Sequence, residues 1–156
     1  MSVAPEPPPA APPAPSGRAD VALRVAGGVV AFWAGALAAL LDLIFATWAW
    51  EVVKGLHGGP AKAVVGIVLG VGGIAAVVVL TVLLSWFART AVGTRWAGAL
   101  AALPWVVVAF AGGVRTTEGD LALSGDNVIG LGMIMAGAIT FAVMGFRQIV
   151  VPPAVP

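Results

Sequence analysis

Cysteine and tyrosine are absent from the 156-residue chain, and charged residues make up only 10% of it. The missing cysteine excludes disulfides, thiolate metal sites and cysteine nucleophiles. Because His57 is the single histidine, a zinc site of the usual kind is not expected either. A net charge of +1 does not provide the basic face that nucleic-acid binding requires. The sequence therefore predicts no metal, no cofactor and no nucleic-acid partner.

Apolar residues dominate the rest of the composition. Sixty per cent of the chain is hydrophobic, whereas a soluble domain carries about 25% charged residues. Four long apolar runs follow one another, at residues 25–50, 63–87, 96–114 and 128–146. A helix crosses the bilayer core with roughly 20 such residues. We therefore predict an all-α fold, in which residues 21–151 form a four-helix transmembrane bundle surrounded by lipid.

The two ends of the chain have a different composition. Residues 1–20 are rich in proline and alanine, and proline fixes φ while removing a hydrogen-bond donor. This pattern predicts a disordered Pro/Ala-rich tail on the cytoplasmic side. Residues 152–156 are predicted to form a short C-terminal tail.

Lysine and arginine predict the orientation of the bundle in the membrane, because they are enriched in cytoplasmic loops. With the N-terminus inside, five cations fall on the inner side: Arg18, Arg24, Arg89, Arg95 and Arg147. Only Lys54, Lys62 and Arg115 fall on the outer side. The sequence thus favours a multi-pass protein of the plasma membrane with both termini in the cytoplasm.

Small residues mark the faces on which the helices are expected to pack. Small side chains let helix backbones approach closely in lipid, and steps of three and four share one helical face. The first run places such residues at steps of four, four and three, and the second run contains a GxxxG pair followed by another glycine. The predicted packing residues are Gly27, Ala31, Gly35 and Ala38 in the first run and Gly66, Gly70 and Gly73 in the second.

Other residues interrupt the apolar runs without charge. Pro104, in the middle of the third run, cannot donate a hydrogen bond to the carbonyl of Leu100, which predicts a kink. Thr81 and Ser85 lie four residues apart in the second run. Their hydroxyls are expected to bond to carbonyls of their own helix, with a shared polar patch as the alternative.

Asp42 is the one ionisable residue well inside an apolar run, four residues after Ala38 on the small-residue face. A carboxylate near the bilayer centre costs about 2.5–3.5 kcal/mol on insertion scales, so its side chain is expected to face protein. Arg115 is the predicted ion-pair partner, and Lys62 is the second choice. Asp42 is interpreted either as a structural carboxylate bonded to a neighbouring helix or as a proton carrier.

The segment 115–127 is the most polar loop of the chain. Arg115, Glu118, Asp120 and Asp126 lie within it. Its carboxylates are oxygen ligands suited to a hard cation such as calcium, although the EF-hand spacing is absent. The alternative is that these acids are solvated, with Asp126 or Ser124 capping the fourth helix.

Short motifs in the second half of the chain carry a family resemblance. Gly93, Thr94 and Arg95 precede the third run, an R-x-x-E-G-D motif follows it, and the fourth run is rich in glycine. The chain resembles a domain-of-unknown-function family of small four-span membrane proteins from high-GC Gram-positive bacteria. The resemblance implies location and topology but no reaction. It also favours the outer loop as a shared site, in which Arg115 pairs with Glu118 or Asp120 and Gly119 permits the turn.

Three functional hypotheses follow from the sequence. The leading one is a non-enzymatic accessory or scaffold subunit, since the chain shows no nucleophile–base pair and no phosphate-binding glycine loop. Its partner would be a second copy of the chain or another membrane protein. The second is a small proton-coupled transporter that acts as a dimer and uses Asp42. The third is ion or ligand sensing on the outer face through residues 115–127.

Overall fold

The computed structural model describes residues 17–113 and 126–150. Over these ranges the chain is helical and contains no strand, so the predicted all-α bundle is confirmed. The four helices pack with α1 against α2 and α3, and with α4 mainly against α2. Their bounds are α1 Gly17–Gly55, α2 Pro60–Val92, α3 Ala97–Gly112 and α4 Val128–Val150.

The helices differ in length from the predicted spans. Three of them are long and apolar enough to cross a membrane, namely α1 with 39 residues, α2 with 33 and α4 with 23. At a rise of about 1.5 Å per residue α1 extends about 58 Å, roughly twice the thickness of a bilayer core. The third predicted span, 96–114, is observed as a shorter apolar helix of 16 residues, or about 24 Å.

The start of α1 corrects the predicted boundary of the N-terminal tail. Residues 17–20 were expected in the tail, yet the helix begins at Gly17. Asp20 in the first helical turn and Arg24 one turn later form an ion pair of 2.9 Å, which favours helix at this end. The rest of the predicted tail, residues 1–16, and the C-terminal tail lie outside the described residues.

The connection between α1 and α2 is also shorter than predicted. A loop was expected over residues 51–62, but α1 continues to Gly55 and α2 begins at Pro60. Glu51 and Lys54 form an ion pair of 2.8 Å that supports the last turn of α1. Gly59 and Pro60 separate the two helices. Gly59 has a φ of +129°, which glycine adopts readily, and Pro60 suits the first position of a helix.

Small side chains fill the interior of the bundle and large apolar side chains cover its outside. Alanines such as Ala31, Ala49 and Ala97 are fully buried, while Leu23, Ile67 and Phe110 are among many large exposed hydrophobic residues. In water such a surface would drive association. The distribution suits a lipid surround, in which packing of small residues holds helices together. The fold is therefore that expected of a membrane protein.

Successive helices run antiparallel, which brings the arginines of the described residues to one end of the bundle. Gly27, early in α1, lies beside Ala91, late in α2, and Gly98, early in α3, lies beside Gln148, late in α4. We call this end the arginine end; it carries Arg18, Arg24, Arg89, Arg95 and Arg147. The opposite end carries Glu51, Lys54, Lys62 and Asp126 among the described residues.

Candidate functional site

Asp42 is half-buried in α1 and faces α3. The indole Nε1 of Trp105 donates a hydrogen bond of 2.9 Å to Asp42 Oδ2. The predicted partner, Arg115, lies outside the described residues, and Lys62 forms no ion pair with Asp42 where the chain is described. Sequence reasoning missed Trp105 as the partner, since 63 residues separate the two side chains along the chain.

Trp105 holds its position by packing against α4. Its side chain is only 2% exposed. A Cβ atom placed on Gly137 would lie 2.5 Å from the Trp105 ring, so glycine at that position admits the indole. The ring also packs against Phe141, with the two ring centroids 5.5 Å apart. Because these contacts fix the indole, its N–H is presented to Asp42 in one direction.

The space around Asp42 is very small. The cavity that it lines with Trp105 and Met133 has a volume of about 10 Å³. One water molecule needs at least roughly 10–15 Å³, and ligand sites occupy about 300–1,000 Å³. The cavity beside this carboxylate is thus too small for a substrate.

Asn127 connects α4 to α1 near the end of the bundle that lies opposite the arginine end. Its side chain is 3% exposed. Its Oδ1 accepts a hydrogen bond of 2.8 Å from the backbone N–H of Gly130, and its Nδ2 donates one of 3.1 Å to the carbonyl of Ala46. Asparagine serves both purposes because it is an acceptor and a donor. The expectation that Asp126 caps α4 is wrong, because the capping oxygen belongs to Asn127; Ser124 lies outside the described residues.

The small residues of α1 lie at the closest helix contacts. A Cβ atom on Gly35 would lie 2.9 Å from the backbone carbonyl carbon of Ala101, so α1 and α3 touch backbone to backbone there. A Cβ atom on Gly27 would lie 2.7 Å from Ala91 Cβ. The two alanines of the predicted face, Ala31 and Ala38, are buried.

The second predicted set divides in two. Gly73 is buried, and a Cβ atom there would lie 2.8 Å from the ring of Phe45. Gly66 and Gly70, the GxxxG pair, are looser: added Cβ atoms would meet their nearest neighbours at 3.8 Å and 4.0 Å, an ordinary contact distance. The motif is therefore not where α2 approaches its neighbours most closely, and the expectation of close packing at Gly66 and Gly70 is wrong for the contacts described.

Three tightly packed glycines escaped sequence reasoning. Added Cβ atoms would lie 2.7 Å from Leu43 at Gly112, 2.9 Å from Gln148 Oε1 at Gly98 and 2.5 Å from the Trp105 ring at Gly137. Their spacing along the sequence does not distinguish them from Gly145, where an added Cβ atom would have no neighbour within 4 Å. Only the packing of the four helices distinguishes the two kinds of glycine.

Pro104 lies inside α3, and Ser85 departs from expectation. Pro104 is buried, and α3 runs from Ala97 to Gly112 on both sides of it, so the kink stays a prediction. Ser85 Oγ forms no hydrogen bond with any described residue, so the expected bond to its own helix is not observed. Its carbonyl instead accepts a hydrogen bond of 3.3 Å from Gln148 Nε2. Back-bonding of this kind does occur at Thr47, Thr90 and Thr140.

Most of the predicted outer-loop cluster cannot be placed. Arg115, Glu118, Gly119 and Asp120 lie outside the described residues, and Asp126 is exposed. At the same end Glu51 raises the pKa of Lys54 through their hydrogen bond. Across residues 17–113 and 126–150, no group of three or more acidic or histidine side chains is arranged to hold a metal ion.

Comparisons of the chain with protein-family models, curated proteins and solved structures find no match. The resemblance to a four-span family therefore stays a prediction.

Proposed function

We propose that the chain is a non-enzymatic membrane subunit that acts as a scaffold, with Asp42 as a structural carboxylate. The observation that carries this proposal is the hydrogen bond from Trp105 to Asp42 beside a cavity of about 10 Å³. A carboxylate that is hydrogen-bonded in place beside so small a cavity suits helix positioning better than the binding of a transported substrate.

The packing of the bundle supports the same role. Trp105 contacts Asp42 in α1 and Gly137 in α4, so one side chain fixes three helices. Asn127 fixes α4 to α1 a second time. Such cross-bonds hold the shape of the bundle, while its large apolar side chains face outward, where another membrane protein or a second copy would bind.

The proposed location is the plasma membrane, with the arginine end in the cytoplasm. Five arginines and Asp20 lie at that end where the chain is described. The excess of arginine over the lysines of the opposite end agrees with the distribution of cations in membrane proteins. Single-cysteine labelling from the outside would test this: residues 56–59 are expected to react, and residues 93–96 are not.

Asp42→Asn separates the scaffold from the transporter. Asparagine keeps an oxygen that accepts the Trp105 hydrogen bond but cannot carry a proton. The scaffold proposal expects Asp42→Asn to lower the free energy of unfolding by at most about 1 kcal/mol, the difference between a hydrogen bond to a charged acceptor and one to a neutral acceptor. Crosslinking in native membranes should recover the same partners, whereas Trp105→Phe, which removes the donor, should be less stable.

The transporter hypothesis is tested in proteoliposomes that carry a pH gradient and an internal pH-sensitive dye. If the wild-type chain dissipates the gradient and Asp42→Asn does not, although it folds normally, Asp42 carries protons and the scaffold proposal is wrong. Empty liposomes and Trp105→Phe serve as controls for leakage and for loosened packing.

A further inference from the structure

A cleft at the arginine end is lined by two arginines that form no ion pair within the described part of the chain. It has a volume of about 380 Å³, and Arg89 and Thr90 at the end of α2 face it together with Thr94 and Arg95. Neither Arg89 nor Arg95 pairs with any described carboxylate, whereas Arg24 nearby is paired with Asp20. Two such guanidinium groups on one cleft favour a phosphate-bearing ligand.

Gln148 adds a buried polar atom to the same cleft. Its side chain is 4% exposed, and its Nε2 is already used by the Ser85 carbonyl. Its Oε1 has no hydrogen-bond partner among the described residues, and neither has Ser85 Oγ, which is 1% exposed. Buried polar atoms are normally paired, so an unpaired acceptor beside a cleft indicates a missing donor. A hydroxyl group is such a donor.

A second, apolar cleft adjoins the polar one. It has a volume of about 320 Å³, shares Arg95 and Gln148 with the polar cleft, and is also lined by Ser85. Its other lining residues lie along α3 and α4 and are mostly apolar, among them Ala102, Val106, Phe141 and Ile149. A cationic site that opens into an apolar trough matches a headgroup followed by an acyl chain.

We propose that this pair of clefts binds an anionic phospholipid whose headgroup carries hydroxyl groups, as in phosphatidylglycerol. Arg89 and Arg95 bind the phosphate. Gln148 Oε1 accepts a hydrogen bond from one headgroup hydroxyl, Ser85 Oγ bonds to the other, and an acyl chain lies against Phe141 and Val106. Basic pockets between helices on the cytoplasmic side are suited to such headgroups. This site is independent of the scaffold role.

The three features together select the ligand class. A soluble phosphate would use the arginines and leave the apolar trough unfilled. Phosphatidylcholine brings a cationic choline and no headgroup hydroxyl, and phosphatidic acid brings a phosphate monoester without the hydroxyls of a glycerol headgroup. The arginines therefore favour anionic lipids as a group, and Gln148 distinguishes phosphatidylglycerol from phosphatidic acid.

Native mass spectrometry of the detergent-purified full chain tests the proposal, with phosphatidylglycerol, phosphatidic acid and phosphatidylcholine added in turn. Retention is expected to fall in that order. Arg89→Gln and Arg95→Gln should each weaken phosphatidylglycerol binding roughly fivefold, the effect of about 1 kcal/mol per arginine near a membrane surface. Arg147→Gln is the matched control, because it lies at the same end and lines neither cleft; it should bind as wild type does.

Gln148→Leu and Ser85→Ala test the hydroxyl contact. Each substitution should lower the retention of phosphatidylglycerol to that of phosphatidic acid, and the retention of phosphatidic acid should not change. Circular dichroism verifies folding, and Ser85→Ala replaces Gln148→Leu if the latter unfolds. The proposal is overturned if wild type does not prefer phosphatidylglycerol, if Arg89→Gln and Arg95→Gln bind as Arg147→Gln does, or if glycerol phosphate competes as well as the intact lipid.

Discussion

Replacing Gly35 by alanine perturbs the closest contact between α1 and α3. The new Cβ would lie 2.9 Å from the carbonyl carbon of Ala101 and 3.0 Å from its Cα. Neither backbone atom moves unless its helix moves, so α1 and α3 must separate. Overpacking of this kind costs about 1–3 kcal/mol. The substitution also raises the free energy of unfolding by about 0.5–1 kcal/mol, because alanine loses less chain entropy than glycine when the helix forms.

Gly72→Ala is the matched control. Gly72 also lies within a long apolar helix, α2, and no atom lies within 4 Å of its added Cβ. That variant is expected to gain about 0.5–1 kcal/mol. The difference between Gly35→Ala and Gly72→Ala then isolates the overpacking cost, about 1–3 kcal/mol. Unfolding by sodium dodecyl sulfate in mixed micelles, followed by circular dichroism, measures both free energies of unfolding.

A second-site substitution tests the backbone argument more strictly. At Gly27 the first atom met by a new Cβ is Ala91 Cβ, at 2.7 Å, while the Ala91 backbone is no nearer than 3.4 Å. Ala91→Gly should therefore rescue Gly27→Ala. Ala101→Gly should not rescue Gly35→Ala, because the obstructing atoms belong to the backbone. Recovery of Gly35→Ala by Ala101→Gly, or equal stability of Gly35→Ala and Gly72→Ala, would refute this reasoning.

Two further predictions concern the polar cross-bonds. In a double-mutant cycle of Asp42→Ala and Trp105→Phe, the coupling free energy of unfolding should be about 0.6–1.7 kcal/mol, the range for such bonds between membrane helices; a coupling near zero would mean that the bond does not stabilise the bundle. Asn127→Ala should lower the free energy of unfolding by about 1–2 kcal/mol, because both the cap of α4 and the hydrogen bond to Ala46 disappear. Asn127→Ser keeps a capping oxygen and should lose less, as measured by the same unfolding assay, and equal losses would argue against Asn127 as the cap.

Local signals in the sequence were sufficient to predict the four helices. Apolar runs of membrane-spanning length predicted four helices, because in lipid each segment must satisfy its own backbone hydrogen bonds. Gly59 and Pro60 marked a turn through their backbone restrictions alone. The boundaries were less predictable, since ion pairs such as Asp20–Arg24 extend a helix beyond its apolar part.

The sequence also indicated which face of α1 packs, but not the partners on it. The regular spacing of Gly27, Gly35 and Asp42 follows from helical geometry. What each meets depends on how α1 crosses α2 and α3. Thus Gly35 meets a backbone, and Asp42 meets the indole of Trp105 instead of a cation.

The sequence by itself determined that this is a bundle of apolar helices with five of its six arginines on one side, because helix formation and membrane insertion depend on local composition. Only the tertiary structure decided that Gly66 and Gly70 are loosely packed while Gly137 holds the Trp105 ring. It alone placed Gln148 beside Ser85, 63 residues away along the chain. These pairings arise from the contacts of helices distant in sequence, and no periodicity along a single helix records them.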